Sequence, residues 1–380
     1  MRLIELRLHN FRNHRLTKFN FSSGVNVLYG KNGQGKTNLL DGVAYLCLTK
    51  GFLNSTDSSS VCFGEKEFEI EAEFLSDINI KSRMQVHYSN ETRKKSLVVD
   101  GSKVDRLFSH IGMFPIVLLA PQYYSIVNGI PQERRKFIDM IISQSSKSYL
   151  SDIMEYRKVL KQRNKILSDQ LNHTHEANVA QWDVLLIKYG TKVIKRRYQF
   201  IQEFTPCFER AYKEITLAQE VPVINYFPCI EVKSLEMKSA MALEVMEEKI
   251  VSAMFEQSMQ ERRIEEQRRG VTLVGPHKDE IEFKINEHDV RQFASQGQQK
   301  TFLVALKIAE YFYLQDKCGE KPLLVLDDLF SELDKERSKS LLTFLKNKCQ
   351  VFITSTSSDI FDEMLEYEKD DSKFYIKSVG

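Results

Sequence analysis

The most specific chemical pattern in the chain is the run Gly30-Lys31-Asn32-Gly33-Gln34-Gly35-Lys36-Thr37. Its spacing is GxxxxGK[ST], with an apolar run before it and a helix-period run after it. Glycines at these positions let successive backbone N–H groups turn inward onto phosphate oxygens at a helix N-terminus. Lys36 is placed to neutralise β- and γ-phosphates, and Thr37 to hold Mg²⁺ through its hydroxyl. Far along the chain, Leu323 to Leu326 reads as a buried strand that ends in Asp327 and Asp328. There Asp327 suits the Mg²⁺ ion, and Asp328 suits orienting or deprotonating an attacking water. The expectation is an ATP and Mg²⁺ site with Lys36 and Asp328 as its catalytic residues.

A second phosphate grip complicates a one-pocket picture. Ser295-Gln296-Gly297-Gln298-Gln299-Lys300 offers a hydroxyl and exposed amides before a helix. One γ-phosphate does not need two such grips. Ser295 and Gly297 are therefore expected to close over a nucleotide held by a second copy of the chain.

The elements that must position these residues follow from periodicity. Alternating Ile4, Leu6 and Leu8 predict a strand, and Val25 to Leu28 a second that ends at the glycine loop. Thr37 to Leu48 has helical spacing. Segments 67–75, 82–89 and 94–100 read as an antiparallel patch, and Ile116 to Ala120 as a buried strand. After Pro131 glycine almost disappears and helical patterns lengthen, as in Tyr156 to Leu167, with a further helical run over 235–267. A short β-like piece lies at Val221 to Ile230. Strands at Thr272 to Val274 and Ile281 to Ile285 then restore a β/α rhythm. A helix over 298–314, the strand at 323–326, a helix over 335–347 and strands at 350–353 and 373–378 complete it. The predicted fold is α/β, a nucleotide-binding head with a mixed sheet and an antiparallel β patch. An inserted, mostly helical arm interrupts it. The expected boundaries are 1–130 for the first lobe, 131–270 for the arm and 271–380 for the second lobe.

Composition is that of an ordinary soluble domain, 42% hydrophobic and 28% charged. No stretch approaches the roughly 20 apolar residues of a membrane span. The N-terminal segment MRLIELRLHNF interleaves charge with apolar residues, which reads as a strand of a cytoplasmic protein and not as a signal peptide. Six cysteines show neither a CxxC pair nor zinc spacing and read as reduced residues. The net charge of +2 conceals asymmetry: residues 131–200 hold 14 Lys and Arg against 7 Asp and Glu. Such a segment fits a polyanion-binding surface, and solvated helix faces account for the charge equally well. Arg134, Arg135, Lys136, Lys158, Lys161, Arg163, Lys165, Lys192, Lys195, Arg196 and Arg197 supply this positive field and are the candidates for contacts to a polyanion's phosphates. His173 and His175 read as a solvated polar turn, and Trp182 as a helix-packing residue.

The phosphate loop, the strand acids and the Ser-x-Gly-Gln turn together look like the ATP-binding-cassette class, in which two heads sandwich two ATP molecules. The ordered set of FRNH (Phe11 to His14), GKNGQGKTNLLDG, LAPQYYSIVNGIPQERRKFID (Leu119 to Asp139), YRKVLKQRN, TLVGPHKDE (Thr272 to Glu280), SQGQQK and LDDLFSELD narrows this. Across essentially the whole chain it resembles the RecF family of bacterial recombination-mediator ATPases, related to chromosome-maintenance heads. The resemblance implies ATP-driven homodimerisation, DNA binding near single-strand gaps, weak DNA-stimulated ATP hydrolysis, and action with RecO and RecR to help load RecA. It assigns Ser295, Gly297 and Gln298 to the signature that acts across the dimer. Arg12, Asn32 and Gln122 are further nucleotide contacts, and Gly30, Lys31, Gly33, Gln34, Gly35 and Asn38 complete the loop's set. Two departures stand out. Gly51 to Ser55 lacks the arginines that relatives carry there, and Thr354-Ser355-Thr356 stands where transporters have a histidine. The alternatives are the energising subunit of a membrane transporter and a non-hydrolysing DNA scaffold. The basic insertion and the SQGQQK spelling weigh against the transporter.

Overall fold

The computed structural model describes all residues except 54–55, 172–178, 217–219, 231–246, 329–347, 358–370 and 377–380. His173, His175, the expected helix over 335–347, Ser331 to Asp334 and part of the 235–267 run lie outside the described residues. The chain divides into two compact units. One holds residues 1–124, 210–218 and 296–380, and the other residues 125–209 and 219–295. Elements are numbered in chain order.

The first unit contains two sheets. Strands β1 (Arg2–Phe11), β2 (His14–Asn20), β4 (Glu67–Leu75), β5 (Lys81–Ser89), β6 (Lys94–Val99) and β7 (Ser102–Lys103) form an antiparallel sheet of order β2-β1-β4-β5-β6-β7. In β4 the residues alternate between exposed or half-buried Glu and buried Phe68, Ile70, Ala72 and Phe74, so one face meets the core. Strands β3 (Val25–Tyr29), β8 (Ile116–Leu119), β12 (Leu323–Leu326), β13 (Val351–Ser355) and β14 (Ser372–Tyr375) form a parallel sheet of order β14-β3-β13-β12-β8. Four of these, all but β14, are nearly continuous apolar runs, as a parallel sheet covered on both faces requires.

Helix α1 (Lys36–Leu48) touches β1, β4 and β5 of one sheet and β8 and β13 of the other. That double contact explains why it is apolar nearly all round, with Leu39, Leu40, Val43, Ala44, Tyr45, Leu46 and Cys47 buried. The same unit holds α8 (Gln296–Cys318), whose residues 301–311 are buried without a break.

The second unit is built on α2 (Ser125–Asn128), α3 (Pro131–Ser145), α4 (Lys147–Leu171), the α5 helix (Ala180–Ile215) as far as residue 209, α6 (Glu248–Arg269) and α7 (Val290–Phe293). A small antiparallel sheet of order β11-β10-β9 accompanies them, from β9 (Pro222–Phe227), β10 (Glu280–Ile285) and β11 (His288–Asp289). Pro131 occupies the first turn of α3, where a missing N–H costs nothing. Along α4 the buried residues Tyr149, Ile153, Tyr156, Val159 and Leu167 recur at helical spacing. No helix among the described residues is long and apolar enough to cross a membrane.

The division departs from the expected one. The inserted unit begins at residue 125 and not 131, and residues 210–218 return to the first unit. The inserted unit runs to residue 295 and not 270, because β10 pairs with β9 inside it along six residue pairs. Thr272 to Val274 forms no strand. Its amides go to side chains instead: Thr272 N–H donates to Asn164 Oδ1 at 2.8 Å and Leu273 N–H to Glu266 Oε1 at 2.7 Å. An apolar triplet here is an irregular segment whose hydrogen bonds come from two flanking helices.

Candidate functional site

Strand β3 delivers the chain into the glycine loop. Gly33 and Gly35 have φ of +80° and +100°, the left-handed region where a side chain is strained. At Gly35 a Cβ would also lie 2.5 Å from the Asn13 amide, which would have to move aside, so backbone conformation and packing both favour glycine. The Lys36 side chain folds back across the loop, donating to Gly30 O at 2.7 Å and Lys31 O at 3.0 Å. Burial pushes the Lys36 ammonium below its ordinary value, and the charges of Asp328 and Asp327 oppose that shift.

The carboxyl ends of β3, β12 and β13 meet at one cleft of about 200 Å³. Its walls are the loop residues Asn32, Gly33, Gly35, Lys36, Thr37 and Asn38 on one side. Asp327 and Asp328 face them, with Thr354, Ser355 and Thr356 beside. Thr37 Oγ1 donates to Asp327 Oδ1 at 3.0 Å, joining positions 290 residues apart in the chain. Thr354 Oγ1 donates to the same oxygen at 2.7 Å. Burial raises Asp327 above the usual carboxylate range, and the hydroxyls of Thr354 and Thr37 pull it back. Asp328, at φ 49°, leaves the strand in a left-handed turn, with its N–H donating to Thr354 Oγ1 at 2.9 Å. A carboxylate and a hydroxyl at this separation are the hard-oxygen pair that fits a Mg²⁺ ion, so the residues present suit the expected cation.

The loop is braced from behind by the FRNH turn. The Arg12 guanidinium pairs with the fully buried Asp41 of α1, at 2.6 Å through Nη2 and 3.1 Å through Nε. Asp41 Oδ1 accepts the amides of Phe52 and Leu53, so a single carboxylate ties the turn after β1, α1 and the segment after α1 together. Asn38 donates to Asn13 Oδ1 at 2.8 Å. The His14 ring bonds Gly35 O at 3.1 Å and Thr17 Oγ1 at 3.2 Å, and burial lowers its pKa. Asp41, Asn13 and His14 were not singled out from sequence. The FRNH spelling was the available signal, but their partners become apparent only in three dimensions.

Arg12 and Gln122 do not line the cleft. Gln122 Nε2 reaches Phe52 O at 3.4 Å, and Arg12 is engaged by Asp41. The Gln34 amide oxygen is buried with no hydrogen-bond partner among the described residues, away from the cleft lining. Gly297 and Gln298 sit in the first turn of α8 and do not line the cleft, and Ser295 is the last residue of the second unit. Helix α8 meets the segment after Gln122 through its buried Lys307. That ammonium pairs with Glu310 at 2.8 Å and lies 4.5 Å from the Tyr123 ring centre.

The basic candidates separate into two groups. Lys158, Lys161 and Lys165 are exposed along one face of α4, and Lys195 and Arg196 are half-buried on α5. Arg134, Arg163 and Arg197 are buried, which corrects the expectation that they form the positive surface. Arg163 pairs with Glu266 at 2.6 Å and Asp183 at 2.7 Å. Arg197 lies between Asp139 and Asp279, each at 2.9 Å, and also donates to Pro276 O. Arg134 holds Glu280 at 2.7 Å, and Arg135, half-buried, donates to Asp279 O at 2.6 Å. The buried charges of Arg134, Arg163 and Arg197 are neutralised inside the fold. Trp182 is half-buried on α5. Pro276 O and Asp279 of the GPHKD segment belong to this ionic core: Asp279 also accepts from Tyr226 and from Cys229 N–H.

Comparison with known proteins identifies the family. The family model described as the RecF/RecN/SMC N terminal domain matches residues 2–373. The DNA replication and repair protein RecF of Chloroherpeton thalassium is 38% identical over 370 residues, covering 97% of this chain and 98% of that protein. Its counterpart in Salinibacter ruber is 36% identical over 373 residues, covering 97% and 88%. A solved structure of the recombination mediator protein RecF-ATPrS in the RecFOR pathway superposes with a TM-score of 0.87 at 30% identity, covering 100% of this chain and 98% of that one. An SMC head bound to the C-winged helix domain of ScpA, 12% identical with a TM-score of 0.51, shares the fold alone. With a family model spanning nearly the whole chain and relatives alike along almost their full lengths, this protein belongs to the RecF family.

Proposed function

We propose that this protein is an ATP-dependent DNA-binding protein of recombinational repair and replication, cytoplasmic, that uses slow ATP hydrolysis as a conformational switch. The observation that carries the reading is the cleft in which the glycine loop faces Asp327 and Asp328, with Thr37 and Asp327 already hydrogen-bonded. Loop amides and Lys36 would bind the triphosphate, and Thr37 with Asp327 would hold Mg²⁺, which supplies charge neutralisation at the phosphates. Asp328 would orient or deprotonate the attacking water. Ser295, Gly297 and Gln298 would act on the nucleotide of a second copy. Arg12, Asn32 and Gln122 remain proposed as additional nucleotide contacts, the first and last after a rearrangement.

The DNA surface is proposed on Lys158, Lys161 and Lys165 of α4 with Lys195 and Arg196 of α5. Contacts of this kind are made to phosphates, so binding would be salt-sensitive and largely indifferent to sequence. By kinship with proteins of the RecFOR pathway, RecO and RecR are the expected partners, with single-strand gaps as the DNA target. Gel-shift binding to duplex, single-stranded and gapped DNA, with and without ATP across a salt series, tests the central claim. ATP should tighten binding, and affinity should fall steeply with salt. Binding that ignores both nucleotide and salt would overturn the proposal.

A further inference from the structure

We propose that Thr354 is a positioning residue of the hydrolytic site, whose single hydroxyl fastens the Asp328 backbone and the Asp327 carboxylate to one another. The inference rests on the ATPase reading, in which Asp327 serves the cation and Asp328 the water. A threonine hydroxyl has one proton to give and lone pairs to accept with. Both capacities are used here: the proton goes to Asp327 Oδ1 at 2.7 Å, and a lone pair takes the Asp328 N–H at 2.9 Å. The residue is 2% exposed, so both bonds are largely shielded from solvent.

The β12 ladder explains why a hydroxyl is needed at this position. In β12 the Leu324 N–H bonds Gln350 O on the β13 side, and the Asp327 N–H bonds Leu119 O on the β8 side. Continuing that alternation, the Asp328 N–H faces β13 at Thr354, where a regular ladder would offer the Thr354 carbonyl. The side-chain hydroxyl accepts it instead. This exchange lets the chain leave the sheet at Asp328 with φ 49°, a conformation that L residues other than glycine seldom adopt. It also keeps the departing amide satisfied. Thr37 supplies a second bond to Asp327 Oδ1 at 3.0 Å, whereas the Asp328 amide donates to Thr354 Oγ1. Removing the Thr354 hydroxyl therefore spares the metal-side carboxylate in part and releases the turn that carries Asp328. Nucleotide binding, made by the loop and Lys36, is left in place.

The test compares Thr354→Val, which keeps the shape and removes the hydroxyl, with Thr354→Ser, which keeps the hydroxyl. In the nucleotide-free protein, hydrogen exchange at the Asp328 amide should accelerate at least tenfold in the valine variant and stay protected in the serine variant. In steady-state turnover the valine variant should lose about 10- to 100-fold in kcat with KM changed less than about threefold, a loss confined to the transition state. The serine variant should restore most of that loss. If the valine variant fails to bind a fluorescent ATP analogue, the same contrast is read between Thr354→Ala and Thr354→Ser. Unchanged amide protection, or undiminished kcat in the variants lacking the hydroxyl, overturns the inference. Asp328→Asn separates this failure from that of the parent reading. If Asp328→Asn is inactive while Thr354→Val turns over normally, only the role of Thr354 falls. If Asp328→Asn hydrolyses ATP at the unsubstituted rate, the hydrolytic assignment itself falls.

Discussion

His277 shows how burial shapes a single residue of the GPHKD segment. Its ring bonds Tyr156 OH at 2.7 Å and Thr272 O at 3.0 Å, and burial takes its pKa from 6.5 down to about 4. The folded state therefore holds the ring neutral where the unfolded chain would already be protonated. Stability tied to this group is intact above pH 6.5 and is lost as pH falls from about 6.5 to about 4, amounting to about 3 kcal/mol at the acid end. Denaturant titrations across that range should show unfolding free energy falling with acid. In His277→Asn the dependence on pH in this window should flatten, although the variant is less stable at neutral pH. An equal slope in both proteins would assign the acid sensitivity to other groups. Gly275 belongs to the same packing: at φ +123° a Cβ there would lie 2.6 Å from Tyr156 OH and 2.8 Å from Phe255 Cζ.

Helix α4 carries two kinds of positive charge on different faces. Lys158, Lys161 and Lys165 face solvent, while Arg163 is 3% exposed and fully paired. Replacing the three lysines by alanine should leave the melting temperature nearly unchanged. It should weaken DNA binding uniformly across sequences and reduce the slope of log affinity against log salt by about 3, near one per contact. Arg163→Ala should behave in the opposite way, costing about 3–5 kcal/mol of stability because Glu266 is left buried and unpaired. Chemical denaturation and salt-dependent binding distinguish the two. The glycine loop, β12 with its acids and the antiparallel patch were legible in sequence, because local spacing and period 2 or 3.6 decide them. The buried arginines were not, since an arginine within a helical run looks the same whether it meets water or a distant acid. Arg163 and Glu266 are 103 positions apart, and Arg197 and Asp279 are 82 apart. In the small β9–β11 sheet, β9 and β10 were legible and the two-residue β11 was not. The sheet's membership of the inserted unit was not legible either, because pairing between residues 222–227 and 280–285 spans a helix and leaves no periodic trace.

At the scale of the whole molecule, the proposed switch is a coupling between nucleotide, second copy and DNA. Linkage makes that coupling reciprocal: if ATP tightens DNA binding by some factor, DNA must tighten ATP binding by the same factor. Titrating a fluorescent ATP analogue with and without gapped DNA should reproduce the ratio seen in gel shifts. Sedimentation with ATP and Mg²⁺ at micromolar protein should show a dimer that Asp328→Asn prolongs, whereas monomers throughout, with or without DNA, would refute the switch. The strand order of the parallel sheet has a further consequence, one of time. Strand β3, which feeds the glycine loop, lies between β13 and β14, so both neighbours of a strand ending at residue 29 begin at residue 351 or later. On a ribosome adding roughly 5–20 residues per second, this strand waits roughly a quarter of a minute to a minute for its first partner. Throughout synthesis of the intervening chain the nascent protein has a glycine loop but no finished sheet beneath it. Nucleotide capture thus becomes a property of the nearly complete chain.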